Sequence, residues 1–194
     1  MQSVFWQFTD MARWQSAASA WHGQPKAGFE DAAGSYFSFG GEADAFTIPE
    51  NPLAGWSAFV CEAHFRPQQG GEAEQRFLHI QCEASTDRAL LELRSTPDGW
   101  YADVFLCVNG QERFLNDPAL LHPFDRWATL RLTYTGREIV QWVNGEEELR
   151  GPAGPGALTT GCTSIGRRLN AISPFRGDLA WVRFAPLDFP ADPS

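Results

Sequence analysis

Polar and apolar residues alternate along residues 127–151, "WATLRLTYTGREIVQWVNGEEELRG". Alternation with a period of two is typical of a strand that has one buried and one solvated face. The segments "YTGR" and "NG" interrupt the alternation, and Asn-Gly supplies the positive φ angles of a type I′ turn. The pattern therefore predicts a three-stranded antiparallel meander, in which Leu130 and Leu132 share one face and Arg131 lies on the other.

Strand-like segments recur through the rest of the chain: "SVFWQF", "SYFSFG", "AFTIPE", "SAFVCEAHFRP", "QRFLHIQCE", "ALLELRS", "WYADVFLCV", "ERFL", "CTSIGR" and "FRGDLAWVRFAP". Turn-rich segments such as "HGQPKAG" and "GPAGPG" separate them. Helix is expected only as short turns, in "DPALLH" and in "TDMARWQSAASAWH", and the second segment fits an irregular loop equally well. So many short strands with little helix predict an all-β, two-sheet antiparallel β-sandwich or jelly roll.

No linker, internal repeat or heptad divides the chain, which predicts one domain over residues 1–194. A chain of this length buries roughly 70% of its extended surface, so its core requires neither disulfides nor metals. The formal net charge of −9 opposes nonspecific binding to nucleic acid or to anionic lipid. No apolar run approaches the roughly 20 residues of a membrane helix, so membrane insertion is not expected. The start "MQSVFWQFTD" lacks the pattern of a signal peptide, so we expect a soluble chain without an export signal.

Four cysteines, Cys61, Cys82, Cys107 and Cys162, lack the C-x-x-C spacing of a metal site. Free cysteine behaves as a small apolar residue, so the sequence favours buried thiols. A bridge between Cys61 and Cys82 is the alternative, provided that their strands are neighbours.

The alternation also predicts which polar side chains point away from the core. In "SAFVCEAHFRP" the apolar residues point inward and place Glu62 and His64 outward. The same parity in "QRFLHIQCE" and "ALLELRS" places His79 and Glu92 outward, as it does Arg131 in the meander. We expect these side chains to line one sheet surface.

A sugar-binding surface needs a flat aromatic face and a few fixed hydrogen-bonding groups. Trp142 supplies the aromatic face if it points outward, an orientation that buries Gln141. The predicted ligand-binding residues are therefore Glu62, His64, His79, Glu92, Arg131 and Trp142. The charged ones also fit ordinary cross-strand pairs, and Trp142 also fits a core position. Trp14 and Trp21, in the least regular segment, are candidates for an accessory contact.

Five segments together resemble a known family: "GEADAFTIPE", "SAFVCEAHFRP", "RWATLRLTYTGREIVQWVNGEE", "TSIGRR" and "FRGDLAWVRF". In this order they resemble the strands of laminin G-like domains in the concanavalin A-like lectin and glucanase superfamily, over roughly residues 36–185. The resemblance implies a concanavalin A-like jelly roll of two curved sheets. It also implies a glycan site on the concave face or a rim loop, and an extracellular or periplasmic location.

The sequence departs from this family at a metal position. Many members carry an aspartate before the last apolar-Val-Arg run, where it helps to bind a structural Ca²⁺, and Ala180 occupies that position here. Asp178 lies about two strand rises away, roughly 6–7 Å, which is too far for it to replace the missing ligand. We therefore expect no metal ligands and no cofactor.

Two enzyme classes of the superfamily fit the sequence poorly. The glucanases place carboxylates by a Glu-x-Asp-x-Glu strand for retaining chemistry, whereas "GEEELRG" lacks that alternation. "FLHIQ" and "LLELRS" are similar to two motifs of jelly-roll alginate lyases. They occur in the reverse order, however, and the Tyr-Phe-Lys motif of those lyases is missing.

The leading prediction is a non-catalytic, lectin-like module that recognises a glycan or polysaccharide, with a protein as a less favoured partner. The alternative is a polysaccharide-active enzyme, a lyase or a glycoside hydrolase, with a His/Arg/Glu site on the concave sheet. In that enzyme His64 or His79 is the base, and Arg94 or Arg131 stabilises the anion. The sequence leans against catalysis and leaves the choice open.

Overall fold

A computed structural model describes residues 2–187, which form fifteen strands and one helix. In chain order they are β1 (Val4–Gln7), α1 (Met11–Ala17), β2 (Ala20–His22), β3 (Lys26–Glu30), β4 (Gly34–Gly40), β5 (Ala45–Ile48), β6 (Phe59–Pro67), β7 (Glu74–Cys82), β8 (Arg88–Thr96), β9 (Gly99–Val108), β10 (Gln111–Asn116), β11 (Ala128–Tyr134), β12 (Glu138–Val143), β13 (Glu146–Pro152), β14 (Gly161–Ile165) and β15 (Arg176–Pro186).

The strands form two antiparallel sheets that pack as a sandwich. Sheet A has the strand order β13-β12-β11-β6-β15-β4-β3, and β1 also pairs with β15. Sheet B has the order β10-β9-β8-β7-β14-β5-β2. The predicted fold class, an all-β sandwich of concanavalin A-like type, is confirmed.

The predicted meander is confirmed as β11, β12 and β13, each paired antiparallel with the next. Its second turn contains Asn144 and Gly145 with φ angles of 52° and 83°. Both angles are positive, as a type I′ turn requires, which explains why the tight connection carries Asn-Gly.

The core lies between the two sheets and is rich in phenylalanine. Phe65 of β6 stacks on Phe77 of β7, with ring centroids 4.4 Å apart and planes inclined by 23°. Trp100 and Phe175 pack against this pair, and all four side chains are buried. Aromatic rings from both sheets thus exclude water from one continuous apolar interior, which is the main stabilising contribution.

The segment "TDMARWQSAASAWH" contains a real helix, α1. The Asp10 side chain caps its first turn by accepting a hydrogen bond from the backbone N–H of Arg13, at 3.2 Å, and Trp14 fixes the helix to the core. With seven residues it is much too short to cross a membrane, and no other helix occurs within residues 2–187.

Two local expectations are wrong. "DPALLH" forms turns instead of a helical turn, because the Asp117 carboxylate accepts a hydrogen bond from the backbone N–H of Ala119, at 2.9 Å, and closes a local turn. "HGQPKAG" is only partly a loop, since β3 begins within it at Lys26. Gly28 suits this strand because the ring of Tyr36 lies close to its Cα atom. A Cβ atom at this position would lie 2.4 Å from the ring, so a larger residue would collide with it.

The cysteines are free thiols, as the sequence favours, and three of them are buried. Cys61 lies in β6 of sheet A and Cys82 lies in β7 of sheet B. Their strands are not neighbours in one sheet, so the alternative of a Cys61–Cys82 bridge is wrong.

Candidate functional site

The six predicted ligand-binding side chains are divided between the outer faces of the two sheets, so the expectation of one shared sheet surface is wrong. Sheet A carries Glu62, His64, Arg131 and Trp142, and sheet B carries His79 and Glu92. Alternation distinguishes the core side of a strand from its outer side, but it does not assign the strand to a sheet. The consecutive strands β6 and β7 pair in different sheets, which separates the residues that they carry.

Five side chains form a row across the outer face of sheet A. The strand registers place Trp142 opposite Arg131, and Arg131 opposite Glu62. They also place Glu62 opposite Arg183, and Arg183 opposite Phe5. Adjacent strands are about 4.8 Å apart, so the row extends for roughly 19 Å. An aromatic ring therefore lies at each end of a charged centre.

The charged centre consists of one carboxylate between two guanidinium groups. Nε and Nη2 of Arg131 both contact Oε1 of Glu62 at 2.7 Å, and Nη2 of Arg183 contacts Oε2 at 2.9 Å. Glu62 is only 4% exposed, whereas about a third of each arginine side chain is exposed. The buried carboxylate holds both guanidinium groups in place and leaves their outer edges open to solvent.

A groove of about 830 Å³ runs along this row. Phe5, Trp142 and Trp181 line it together with the charged centre, and most of its other lining is apolar. Flat aromatic faces beside fixed hydrogen-bonding groups are the components that a sugar-binding surface requires. Of the residues in this groove, sequence analysis identified Glu62, Arg131 and Trp142.

Trp142 points outward and is half-buried, whereas Gln141 beside it is buried in the interior. The Gln141 amide Nε2 donates a hydrogen bond to Oε2 of Glu148, at 3.1 Å. The pairing of β12 with β13 shifts between Gln141 and Trp142, so a β-bulge occurs at this position. A bulge redirects the following side chain, which is how one strand buries an amide and still presents an indole to the groove.

His64 lies beside the groove in a stack of aromatic rings. Its imidazole lies between Trp127 and Trp181, with centroid distances of 5.0 and 5.5 Å and planes inclined by less than 20°. Burial lowers the pKa of His64, against the opposing effects of a backbone hydrogen bond at Ala128 and the charge of Glu62. The imidazole packs between two indoles and does not line the groove. This stacking suits a role in which His64 holds the indole of Trp181 in place.

Phe5, Trp181 and Arg183 are the aromatic and charged groove residues that sequence reasoning did not select. The alternation of polar and apolar residues in "SVFWQF" and "DLAWVRF" does indicate their orientation, because it places these side chains on the outer side of their strands. Only the pairing of β1 with β15, and of β15 with β6, brings them next to Glu62.

Sheet B carries a separate polar cleft of about 240 Å³. Glu92 lies opposite both Arg76 and Asp103, and its Oε2 is 2.9 Å from Nε of Arg76. Asp103 accepts hydrogen bonds from Nε of Arg94, at 2.7 Å, and from Nδ2 of Asn116, at 3.2 Å. Burial raises the pKa of Glu92 to about 7, against the charge of Arg76, and the charge of Asp103 adds to the increase.

His79 points away from the core of the sandwich but is only 3% exposed, because the segment between β14 and β15 covers it. The backbone N–H of Leu169 donates to Nδ1 of His79 at 3.2 Å, and Nε2 lies 3.3 Å from Oε1 of Gln81. Burial lowers the pKa of His79 to about 4. Both ring nitrogens are occupied and the ring is closed to solvent, so a surface ligand does not reach it.

The expectation of no metal site stays a prediction. Within residues 2–187 no three His, Cys, Asp or Glu side chains are placed to hold an ion. The Asp178 carboxylate contacts the Ser38 hydroxyl at 2.5 Å and Nε of Arg66 at 2.8 Å, so protein donors already bind it. Ala180 lies at a bulge in β15 and is buried.

Of the two tryptophans considered for an accessory contact, Trp14 is unsuitable. It is buried in the core, and its Nε1 donates to the Gln7 carbonyl at 2.8 Å. Trp21 is half-buried and stacks on Phe46, with centroids 4.9 Å apart.

Three solved structures illustrate what the fold is similar to. Domain 4 of AbnA, a GH43 extracellular arabinanase from Geobacillus stearothermophilus in complex with arabinotriose, is 13% identical and has a TM-score of 0.64, over 94% of this chain and 81% of that one. The Ruminococcus gnavus IT-sialidase CBM40 bound to α2,3-sialyllactose is 15% identical with a TM-score of 0.60, over 88% and 93% of the two chains. Domains LG4-5 of the mouse laminin α1 chain are 16% identical with a TM-score of 0.55, over 84% and 45%.

Identities this low establish the fold and leave the ligand open. No curated protein sequence matches the chain. A family model of laminin G-like domains matches residues 39–186, which is well over half of the chain. This family is part of the concanavalin A-like lectin/glucanases superfamily. The chain therefore belongs to the concanavalin A-like lectin/glucanases superfamily.

Proposed function

We propose that this protein is a non-catalytic carbohydrate-binding module that takes a glycan into the groove of sheet A. The observation that carries the proposal is the juxtaposition of Trp142 and Trp181 with the Arg131–Glu62–Arg183 centre in one groove. An indole packs against the apolar face of a sugar ring, and guanidinium groups donate hydrogen bonds to its oxygens. The arabinotriose and sialyllactose complexes of two similar folds support the ligand class.

Replacing Trp142 with alanine is expected to weaken glycan binding by roughly 1–3 kcal/mol and to leave the fold intact, because the indole is half-buried on the outer face. A glycan array would identify ligands, and titration calorimetry on one of them would compare the variant with the parent. Phe114→Ala is the matched control, since it removes an exposed ring from the cleft of sheet B. Loss of binding in Phe114→Ala with normal binding in Trp142→Ala would contradict the proposal and favour sheet B.

A polysaccharide-active enzyme is the second candidate, and the sheet B cleft is the observation that favours it. A carboxyl group with a pKa near 7 suits a general acid, and Glu92 has a second carboxylate, Asp103, directly opposite. In a glycoside hydrolase Glu92 would protonate the leaving oxygen while water adds to the anomeric carbon. Glu92 is only 4% exposed and is paired with Arg76, which restricts its access to a polymer.

Product analysis separates the two candidates. We expect no new reducing ends or unsaturated products when the parent protein is incubated with the glycans that it binds. Release of products by the parent, abolished in Glu92→Gln while binding persists, would establish the enzyme and overturn the non-catalytic proposal. Measuring the melting temperature of Glu92→Gln verifies that the variant is folded.

A further inference from the structure

The groove of sheet A has a charge opposite to that of the whole chain. The formal net charge of the protein is −9. Within the described residues, the charged side chains that line the groove are Arg131, Glu62 and Arg183, which together carry one net positive charge. Most of the remaining lining is apolar, so little in the groove offsets this charge.

Hydrogen-bond donors are also in excess at the charged centre. Each guanidinium has five N–H groups and no acceptor. Glu62 uses its two oxygens on three guanidinium nitrogens, so it has little capacity to accept from sugar hydroxyls. Nε of Arg183 and Nε1 of Trp142 have no hydrogen-bond partner in the described structure, but both atoms are buried, so the donors open to a ligand are the exposed N–H groups of the two guanidinium groups. A neutral sugar requires both donors and acceptors, whereas a carboxylate or sulfate group requires donors alone.

This inference rests on the proposed glycan-binding function of the groove. We propose that the ligand of the groove is an acidic glycan, whose anionic group binds between Arg131 and Arg183. The two guanidinium groups contact the same Glu62 carboxylate from the strands on either side of it, so one anionic group can reach both of them. Arginine binds carboxylate and sulfate groups through paired, parallel hydrogen bonds. A sugar ring of the same ligand then packs against Trp142 or Trp181, the flat faces of the groove.

Glu62 is a positioning residue in this arrangement. It cancels one of two like charges, so the arginines lie close together without the full cost of their mutual repulsion. Its own burial removes it from direct contact with the ligand. The remaining positive charge and the exposed third of each guanidinium are available to the anionic group.

Matched acidic and neutral ligands test the inference. The probes are tetragalacturonate, its methyl ester, which has the same sugars without charge, and a carrageenan tetrasaccharide, whose charge is sulfate. We expect the methyl ester to bind at least tenfold more weakly than the acid, because a charge-assisted hydrogen bond contributes more than a neutral one. Preference for the uronate or for the sulfate distinguishes the two sources of negative charge.

Arginine variants assign the effect to the groove. Arg131→Gln and Arg183→Gln should each reduce affinity for the favoured acidic probe about tenfold, and affinity for the methyl ester less than twofold. Arg131→Lys retains the charge and should lose less affinity than Arg131→Gln. Arg126→Gln is the control for one lost charge, because Arg126 is exposed, lies outside the groove and has no side-chain hydrogen bond or ion pair among the described residues.

The outcomes distinguish the inference from the proposed function. If the ester binds as tightly as the acid and its binding depends on Trp142, the acidic-ligand inference is overturned and the glycan-binding groove stands. If acidic probes bind but Arg126→Gln weakens them as much as Arg131→Gln does, the recognition is general surface charge and the inference is again overturned. If neither these probes nor an array of neutral, uronate and sulfated glycans shows Trp142-dependent binding, both proposals are overturned.

Discussion

Replacing Phe65 with alanine is expected to lower the free energy of unfolding by about 3–5 kcal/mol, the largest effect that we predict for a single substitution. Phe65 has no exposed surface, and its ring stacks on Phe77 of the opposite sheet at 4.4 Å. It also packs edge-on against Trp100, at 5.2 Å. Removing the ring loses buried apolar contacts and leaves a cavity between the two sheets, where neighbouring rings have little freedom to fill it.

Urea denaturation of the parent and the variant measures this difference. Phe114→Ala is the matched control, because the same side chain is removed from a position that is 66% exposed. We expect the control to change the free energy of unfolding by less than about 0.5 kcal/mol. Equal effects for the two variants would show that Phe65 does not connect the sheets as described.

Lowering the pH from 7 to 4 is expected to remove about 3 kcal/mol of stability through His79 alone. The pKa of His79 in the folded protein is about 4, because burial disfavours the charged ring, and nearby Arg168, Arg88 and Arg76 act in the same direction. The Leu169 N–H donates to Nδ1, so protonation of that nitrogen also breaks a hydrogen bond. Well above pH 6.5, the usual pKa of histidine, the ring is neutral in both states. As the pH falls towards 4, only the unfolded chain gains the proton, so unfolding becomes more favourable.

His79→Asn tests this prediction, since the asparagine carbonyl can still accept a hydrogen bond from the Leu169 N–H. The free energies of unfolding of parent and variant should differ by a constant amount between pH 7 and 8. Below pH 6.5 the parent should lose stability faster than the variant. Parallel curves from pH 7 to 4 would contradict the assigned environment, and an NMR titration of the imidazole measures the pKa directly.

The amino-acid sequence was sufficient to predict the fold class and the local direction of most strands. Successive side chains in a strand point to opposite sides, so the alternation around Cys61 and Leu91 identified their inward orientation and the outward orientation of Glu62 and Glu92. The Asn144–Gly145 turn followed from the backbone angles that few other residue pairs adopt readily. These are properties of short segments, and they require no knowledge of distant parts of the chain.

The composition of the groove depended on contacts between distant segments. Phe5, Glu62 and Arg183 are far apart in the chain, and the pairing of β1, β6 and β15 brings them into one row. Conversely, His79 and Glu92 have the same outward parity as Glu62 and lie on the opposite sheet. Membership of a sheet is decided by long-range strand pairing, which the alternation of a single strand does not encode.

The environment of each polar group was likewise decided by tertiary packing. Sequence parity placed His79 on an outer face, and the segment before β15 then covered it and occupied its nitrogens. Glu62 became a buried partner for two arginines instead of a free acceptor for sugar hydroxyls. The sequence by itself determined which side of a strand each of these residues occupies. Only the tertiary structure decided what covers or contacts it, because burial and hydrogen bonding depend on segments that are remote in the chain and adjacent in space.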